Sequence, residues 1–206
     1  MAALERKCEN AEILNGQNIL ELGCGWGSLS LWMAENYPDS TITSVSNSVS
    51  QKAFIDARSS EINLKNLKVI TCDMNDFNSD QCFDRIVSVE MFEHMRNWPM
   101  LFNKISGWMK EDAKFLMHVF CHRMTPYFFE ASADDDWMAR FFFSGGIMPS
   151  DQLPYVIPSE LKVEKHWRWD GTHYEKTSWL GWRRWINHGK PSYLFFRKPM
   201  EVMPQS

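Results

Sequence analysis

A short apolar strand that runs straight into three alternate glycines constrains this chain more than any other stretch. Ile19-Leu20-Glu21-Leu22 is followed by Gly23-Cys24-Gly25-Trp26-Gly27-Ser28, and residues 28–36 then read as a helix that stops before Pro38. Glycines let the backbone turn tightly and approach a ligand closely. A strand, a glycine turn and a helix in that order open an α/β sheet whose ligand sits at the carboxyl ends of the strands.

The rest of the chain keeps the alternation. A helix is expected over residues 3–13, ended by Asn15-Gly16, and strands at Thr41 to Ser46, Leu67 to Thr71, Phe83 to Val89 and Lys114 to Phe120. Helices are expected over Val49 to Glu61, opened by a Ser48 cap, and over 99–109. Ile86-Val87-Ser88-Val89 is small and apolar, as a central parallel strand should be. Residues 124–158 are rich in aromatics, acids and proline, and a lid or acceptor segment is expected at about 122–160. Leu161 to His166 and Tyr193 to Phe196 are the last strand candidates, around a Trp-rich helix near 176–187. The expectation is one domain over 1–206. It has a Rossmann-like, seven-stranded, mostly parallel sheet with an antiparallel edge.

Composition removes several function classes. Lys+Arg is 22 against Asp+Glu 26, a formal charge of −4, without the basic excess of a nucleic-acid binder. Cys8, Cys24, Cys72, Cys82 and Cys121 form no C-x-x-C, so neither a disulfide framework nor a zinc ribbon is expected. Reduced thiols, the lack of a long apolar run and a charged start fit a cytoplasmic protein with no stable membrane insertion. The 10 Trp and 14 Phe point to an aromatic-lined cavity or a flat organic ligand.

The glycine spacing bears on the ligand. A dinucleotide site wants G-x-G-x-x-G, whereas here the pattern is G-x-G-x-G with Ser28 at the final position. Glu21, two residues before the first glycine, suits an amino-acid-like ligand whose ammonium needs a carboxylate. That points to S-adenosylmethionine (SAM). With L-E-L-G-C-G-W-G-S stand V-S-N-S-V-S-Q at Val45 to Gln51 and V-E-M-F-E-H-M at Val89 to Met95. His118 to His122, Asp135 to Met138, Gly145 to Ser150 and Gly171 to Tyr174 follow in order. Together these resemble the cyclopropane-fatty-acid-synthase-like branch of SAM-dependent methyltransferases, and within it the coclaurine N-methyltransferase type. Members usually also carry an N-terminal extension and a longer helical region after the G-x-H-Y stretch, which help roof the site.

The resemblance implies a class I methyltransferase fold with a reduced lid. It implies SAM as cofactor, S-adenosylhomocysteine (SAH) as product and a small-molecule amine as acceptor. Cofactor contacts are expected from Glu21, Gly23, Gly25, Gly27, Ser46, Asn47, Gln51, Asp73 and Met74. Ser46 and Gln51 would serve the ribose and methionine ends, Asp73 the adenine amino group, and Met74 the ring face. Catalytic roles fall to Glu90, Glu93, His94, His118 and Tyr174. Two carboxylates and an imidazole beside a sheet's carboxyl end are costly to bury without a purpose. Trp137, Phe141, Phe142 and Phe143 are candidates for the acceptor pocket. His118, Phe120 and His122 would share a strand face, but with no second ligand cluster a metal is not expected. Two alternatives stand beside the amine reading. One is methyl or methylene transfer to an unsaturated lipid; the other is a SAM-binding remnant without activity. A dehydrogenase is a distant fourth.

Overall fold

Five parallel strands carry the fold, in the order β3-β2-β1-β4-β5. They are β1 (Asn18–Leu22), β2 (Thr41–Ser46), β3 (Leu67–Thr71), β4 (Phe83–Val89) and β5 (Met109–His118). The computed structural model describes residues 2–130 and 143–172. The chain divides into two units, Met1–Val163 and Glu164–Ser206. Of the second unit, residues 164–172 are described; all are exposed and none joins a strand.

Period-two alternation in β1 explains the layers of the first unit. Ile19 faces one apolar cluster with Leu29 and Met33, while Leu20 and Leu22 face another with Trp98, Leu101 and Phe102. The first face is covered by α1 (Ala2–Asn10) and α2 (Ser28–Asn36). The second is covered by α4 (Trp98–Trp108), whose buried Trp98, Leu101, Phe102, Ile105 and Trp108 recur at helical spacing. Burying each such side chain contributes about 1.5–3 kcal/mol. Helix α3 (Val49–Glu61) starts at Ser48, whose hydroxyl accepts the Gln51 N–H, and it fixes Ile55 against Cys24 and Val69.

Register sets where the strands end. Leu22 lies opposite Val45 and Ser88, Ser46 opposite Thr71, and Val89 opposite His118. The glycine turn, Ser46, Asp73, Glu90 and His118 therefore follow one carboxyl edge. The chain passes β1 to β2 to β3 and then returns to place β4 beside β1, so the switch point of the sheet lies at the glycine turn.

Three expectations need correction. The sheet has five strands among the described residues, not seven. Leu161 to His166 forms no strand, and Lys162 to His166 are all exposed, so their alternation has no apolar side to bury. Tyr193 to Phe196 and the Trp-rich helix lie outside the described residues. The fifth strand also runs earlier than expected, since α4 passes into Met109 without a turn and the ladder stops at His118. Finally, the first helix ends at Asn10, and Glu12 takes a left-handed φ of 53° beyond it.

The described residues after His122 form small pieces. A two-stranded antiparallel ribbon joins β6 (Tyr127–Phe128) to β7 (Ile147–Met148), and a single helical turn, α5 (Leu153–Val156), follows. No helix among the described residues is long and apolar enough to cross a membrane.

Candidate active site

The glycine turn hangs from β2 by two bonds. The Gly23 and Cys24 N–H groups both donate to the Val45 carbonyl at 3.0 Å. Gly23, Gly25 and Gly27 all have left-handed φ, at 78°, 53° and 78°. A side chain at Gly23 would overlap Met91, and one at Gly27 would overlap Ile55. At Gly25 a Cβ would meet nothing within 4 Å, so the turn presents open space there, at the switch point.

Beneath the turn, Glu21 is buried on the α2 side of the sheet, 3% exposed. Its Oε2 accepts from the Ser30 hydroxyl and, at 3.0 Å, from the Ser44 hydroxyl. Burial pushes its carboxyl above the ordinary range, against the pull of both serines. Its recorded partners belong to the scaffold, so its place is the floor of the turn. The serines were not singled out from the sequence, although hydroxyls facing a strand glutamate across α2 and β2 could have signalled the network.

Ser46 is buried, donates to Gln51 Oε1 at 2.6 Å and accepts the Ser48 N–H at 3.1 Å. That arrangement engages the Gln51 oxygen as acceptor and keeps its amide nitrogen as a donor. Asn47 is exposed beside it. Asp73 Oδ1 accepts from the Asn75 backbone N–H and side-chain amide, at 2.8 and 2.9 Å. Asp73 is exposed, whereas Met74 is packed in the core with Leu22 and Val45. Gln51, Asp73 and the open space at Gly25 thus lie along one carboxyl edge of the sheet.

Across the switch point the chain is differently arranged. Glu90 is exposed and takes a left-handed φ of 53°, fixed by its N–H donating to the His118 carbonyl at 2.8 Å. Such a backbone costs on the order of 1–3 kcal/mol outside glycine and gathers at functional sites. Glu93 follows in a single helical turn, Phe92–His94, and is fully buried. Its Oε1 accepts the Phe120 N–H at 2.8 Å, which explains why β5 stops short of Phe120. Its Oε2 has no hydrogen-bond partner among the described residues. Burial pushes the Glu93 carboxyl up to about 7, helped by the charge of Glu90 and opposed by backbone N–H groups.

His94 lies against Phe143, ring centroids 4.8 Å apart, and burial lowers its pKa. Phe143 stacks on Phe129 at 5.0 Å and meets Phe120 edge-on at 5.1 Å. His118 is half-buried, and burial lowers it to about 4, with Lys7 adding to the effect. His122 lies beyond the strand, its Nδ1 accepting the Thr125 N–H at 2.9 Å, so the shared strand face expected for the two histidines does not form. Tyr174, Trp137, Phe141 and Phe142 lie outside the described residues.

Arg96 escaped the sequence reading, and Gly146, within the Gly145 to Ser150 stretch, has no role of its own there. Arg96 Nε donates to the Gly146 carbonyl at 3.2 Å, and its Nη2 to the Phe129 carbonyl at 3.1 Å. Gly146 is pressed so closely to the Glu93 carbonyl that a Cβ there would overlap it.

The chain is similar to known proteins in sequence and in fold. A family profile described as mycolic acid cyclopropane synthetase matches residues 1–193. An (S)-coclaurine N-methyltransferase of Thalictrum flavum subsp. glaucum is 39% identical over 184 residues, 87% of this chain and 51% of the relative. A cyclopropane-fatty-acyl-phospholipid synthase of Escherichia coli K12 is 30% identical over 187 residues, 90% of this chain and 46% of the relative. A crystal structure of coclaurine N-methyltransferase bound to N-methylheliamine and SAH superposes with a TM-score of 0.85 at 35% identity. It covers 91% of this chain and 56% of that one. The chain thus spans about half the length of the curated relatives it matches.

Proposed function

Because the chain belongs to the mycolic acid cyclopropane synthetase family, we propose that it is a SAM-dependent methyltransferase acting on the nitrogen of a small-molecule amine. The likeness to (S)-coclaurine N-methyltransferase, at 39% identity, carries the choice of acceptor. The open glycine turn, the Gln51 amide and Asp73 would hold the cofactor, with Glu21 bracing the turn from below. Bound there, SAM supplies an electrophilic methyl on a sulfonium.

The chain's own residues then handle the acceptor. Glu90, exposed at the edge, attracts an ammonium. Glu93 takes its proton at Oε2, while Oε1 stays tied to the Phe120 N–H. A carboxyl raised to about 7 holds that proton well enough to accept it near neutrality, which an ordinary glutamate does poorly. His94 and His118 are both pushed toward the neutral imidazole, so neither repels the incoming cation. Phe120, Phe129 and Phe143 give the acceptor an apolar wall. The remaining contribution is positioning of two reactants.

The likeness to a cyclopropane-fatty-acyl-phospholipid synthase favours a second reading, transfer to an unsaturated acyl chain. Mass spectrometry of SAM reactions with an amine panel and an unsaturated phospholipid separates the two. A one-carbon gain on an amine is expected. A gain on the lipid alone overturns the amine reading, and no product with either leaves a SAM-binding protein without activity.

A further inference from the structure

A two-stranded ribbon of two residues per strand cannot hold itself in water. The β6–β7 ribbon nevertheless carries Phe129 and leads from Phe143, the rings that wall the candidate acceptor site. What crosses the ribbon is Arg96. Its guanidinium reaches a carbonyl on each arm, Phe129 on one and Gly146 on the other, and lies 4.4 Å from the centre of the Phe128 ring. The Gly146 carbonyl also accepts the Phe129 N–H at 3.1 Å, so the arginine binds where the arms meet. Arg96 stands three residues after Glu93, and Gly146 abuts the Glu93 backbone.

We propose that Arg96 is a positioning residue: it locks the β6–β7 ribbon onto the turn that carries Glu93, and so sets the wall against which the acceptor amine is held. The amine acceptor rests on the function proposed above; the latch itself does not. The chemistry explains the residue type. A planar fork of donors holds two carbonyls in a fixed geometry while its face lies on an aromatic ring, whereas an ammonium meets the same groups as a point charge on a shorter, flexible stem and fixes them less. The charged and titratable groups near Glu93 in the sequence are Glu90 just before its turn, His94 on it and Arg96 just beyond. His118 stands on β5, beside the Phe120 amide that holds Glu93. Of these, Arg96 is the one that binds the ribbon.

The test compares the whole chain with Arg96→Lys and Arg96→Met. Amide hydrogen exchange at residues 127–129 and 146–148 should quicken by about 10-fold or more while β1 and β2 keep their protection. Infrared titration of the Glu93 carboxyl, identified by its loss in Glu93→Gln, should move down by about one pH unit as the ribbon admits water. With an active acceptor, KM should rise about 10-fold and SAM affinity by calorimetry should stay within two-fold. Unchanged exchange and an unchanged Glu93 titration overturn the latch. So does a uniform loss of protection and SAM binding in Arg96→Lys, which makes the residue merely structural. If Arg96→Met does not fold, Arg96→Lys decides alone. A wild-type chain that binds SAM but methylates no amine defeats the proposed reaction, while exchange and carboxyl titration still decide the latch.

Discussion

On the β1–β2–β3 side of the carboxyl edge, each key side chain is bonded to its own scaffold. Glu21 is held by Ser30 and Ser44, Ser46 by Gln51 and Ser48, and Asp73 by Asn75. On the β4–β5 side the key groups are held short of satisfaction. Glu90 sits in a left-handed backbone, and Glu93 buries an oxygen with no partner among the described residues. The side chains of the first side are already fixed by hydrogen bonds within the scaffold. The second buries a carboxyl whose ionised form an arriving cation would favour, next to a strained backbone, an arrangement that gathers at functional sites.

Glu93→Gln breaks the comparison most severely. It keeps shape and the Phe120 hydrogen bond but removes the basic oxygen. Turnover should fall by about 10²–10⁴, the range for losing a general base, with SAM affinity within a few-fold. Calorimetry of SAM binding beside single-turnover rates checks this. Lost SAM binding would assign Glu93 to the cofactor half, and unchanged turnover would send the search for a base to His94 or His118. In the wild type, kcat/KM should rise with pH through about 7 as Glu93 ionises.

The same substitution has a stability signature of definite sign. Glu93 is raised from an ordinary 4.5 to about 7 in the fold. Its stabilising proton is fully bound in the folded state below pH 4.5 and is lost as pH rises through 7. Relative to Glu93→Gln, the wild type should therefore lose up to about 3 kcal/mol between those values. Urea unfolding of both proteins at pH 4, 6 and 8 checks it. A difference that does not grow with pH would mean that Glu93 is better solvated than its position implies.

Gly25→Val probes the cofactor side. The left-handed φ strains a β-branched residue, and its side chain would occupy the open space. SAM and SAH should raise the melting temperature of the wild type, while the variant should show no shift at ligand concentrations about 100-fold above the wild-type Kd, where about 2.7 kcal/mol is expected. NAD should shift neither. A Gly25→Val protein that still responds to SAM would move the site away from the turn.

The two sides also differ in how far they could be read in advance. β1 to β4, with α2 and α3, follow from apolar period and turn residues close by in the chain. Ser48 announces its helix because a cap acts within one turn. Glu90 and Glu93 were legible as residues but not in their environment. Glu93 is buried through an N–H 27 residues away, and Arg96 binds carbonyls 33 and 50 residues away. Backbone carbonyls leave no trace in side-chain identity, so Arg96 reads as an ordinary surface charge. Leu161 to His166 misled for the converse reason: alternation is visible locally, but the sheet edge that would use it is not.

Ser46→Ala carries the smallest expected effect and tests whether the cofactor side is scaffold first. The Ser46 hydroxyl orients Gln51 at 2.6 Å and accepts the Ser48 N–H at 3.1 Å, just before α3. Removing it leaves a half-buried N–H and a loosely held amide, at a cost of about 1 kcal/mol in stability. Gln51 should then sample more rotamers, so SAM affinity should weaken by about 3- to 10-fold through lost preorganisation. The acceptor KM and the pH at which activity rises should not move, because no bond of Ser46 reaches the Glu93 turn. Chemical denaturation, SAM calorimetry and a pH profile together decide it. A shifted pH profile would show that the halves are coupled through β2, and the division between a satisfied binding side and a strained reacting side would have to be given up.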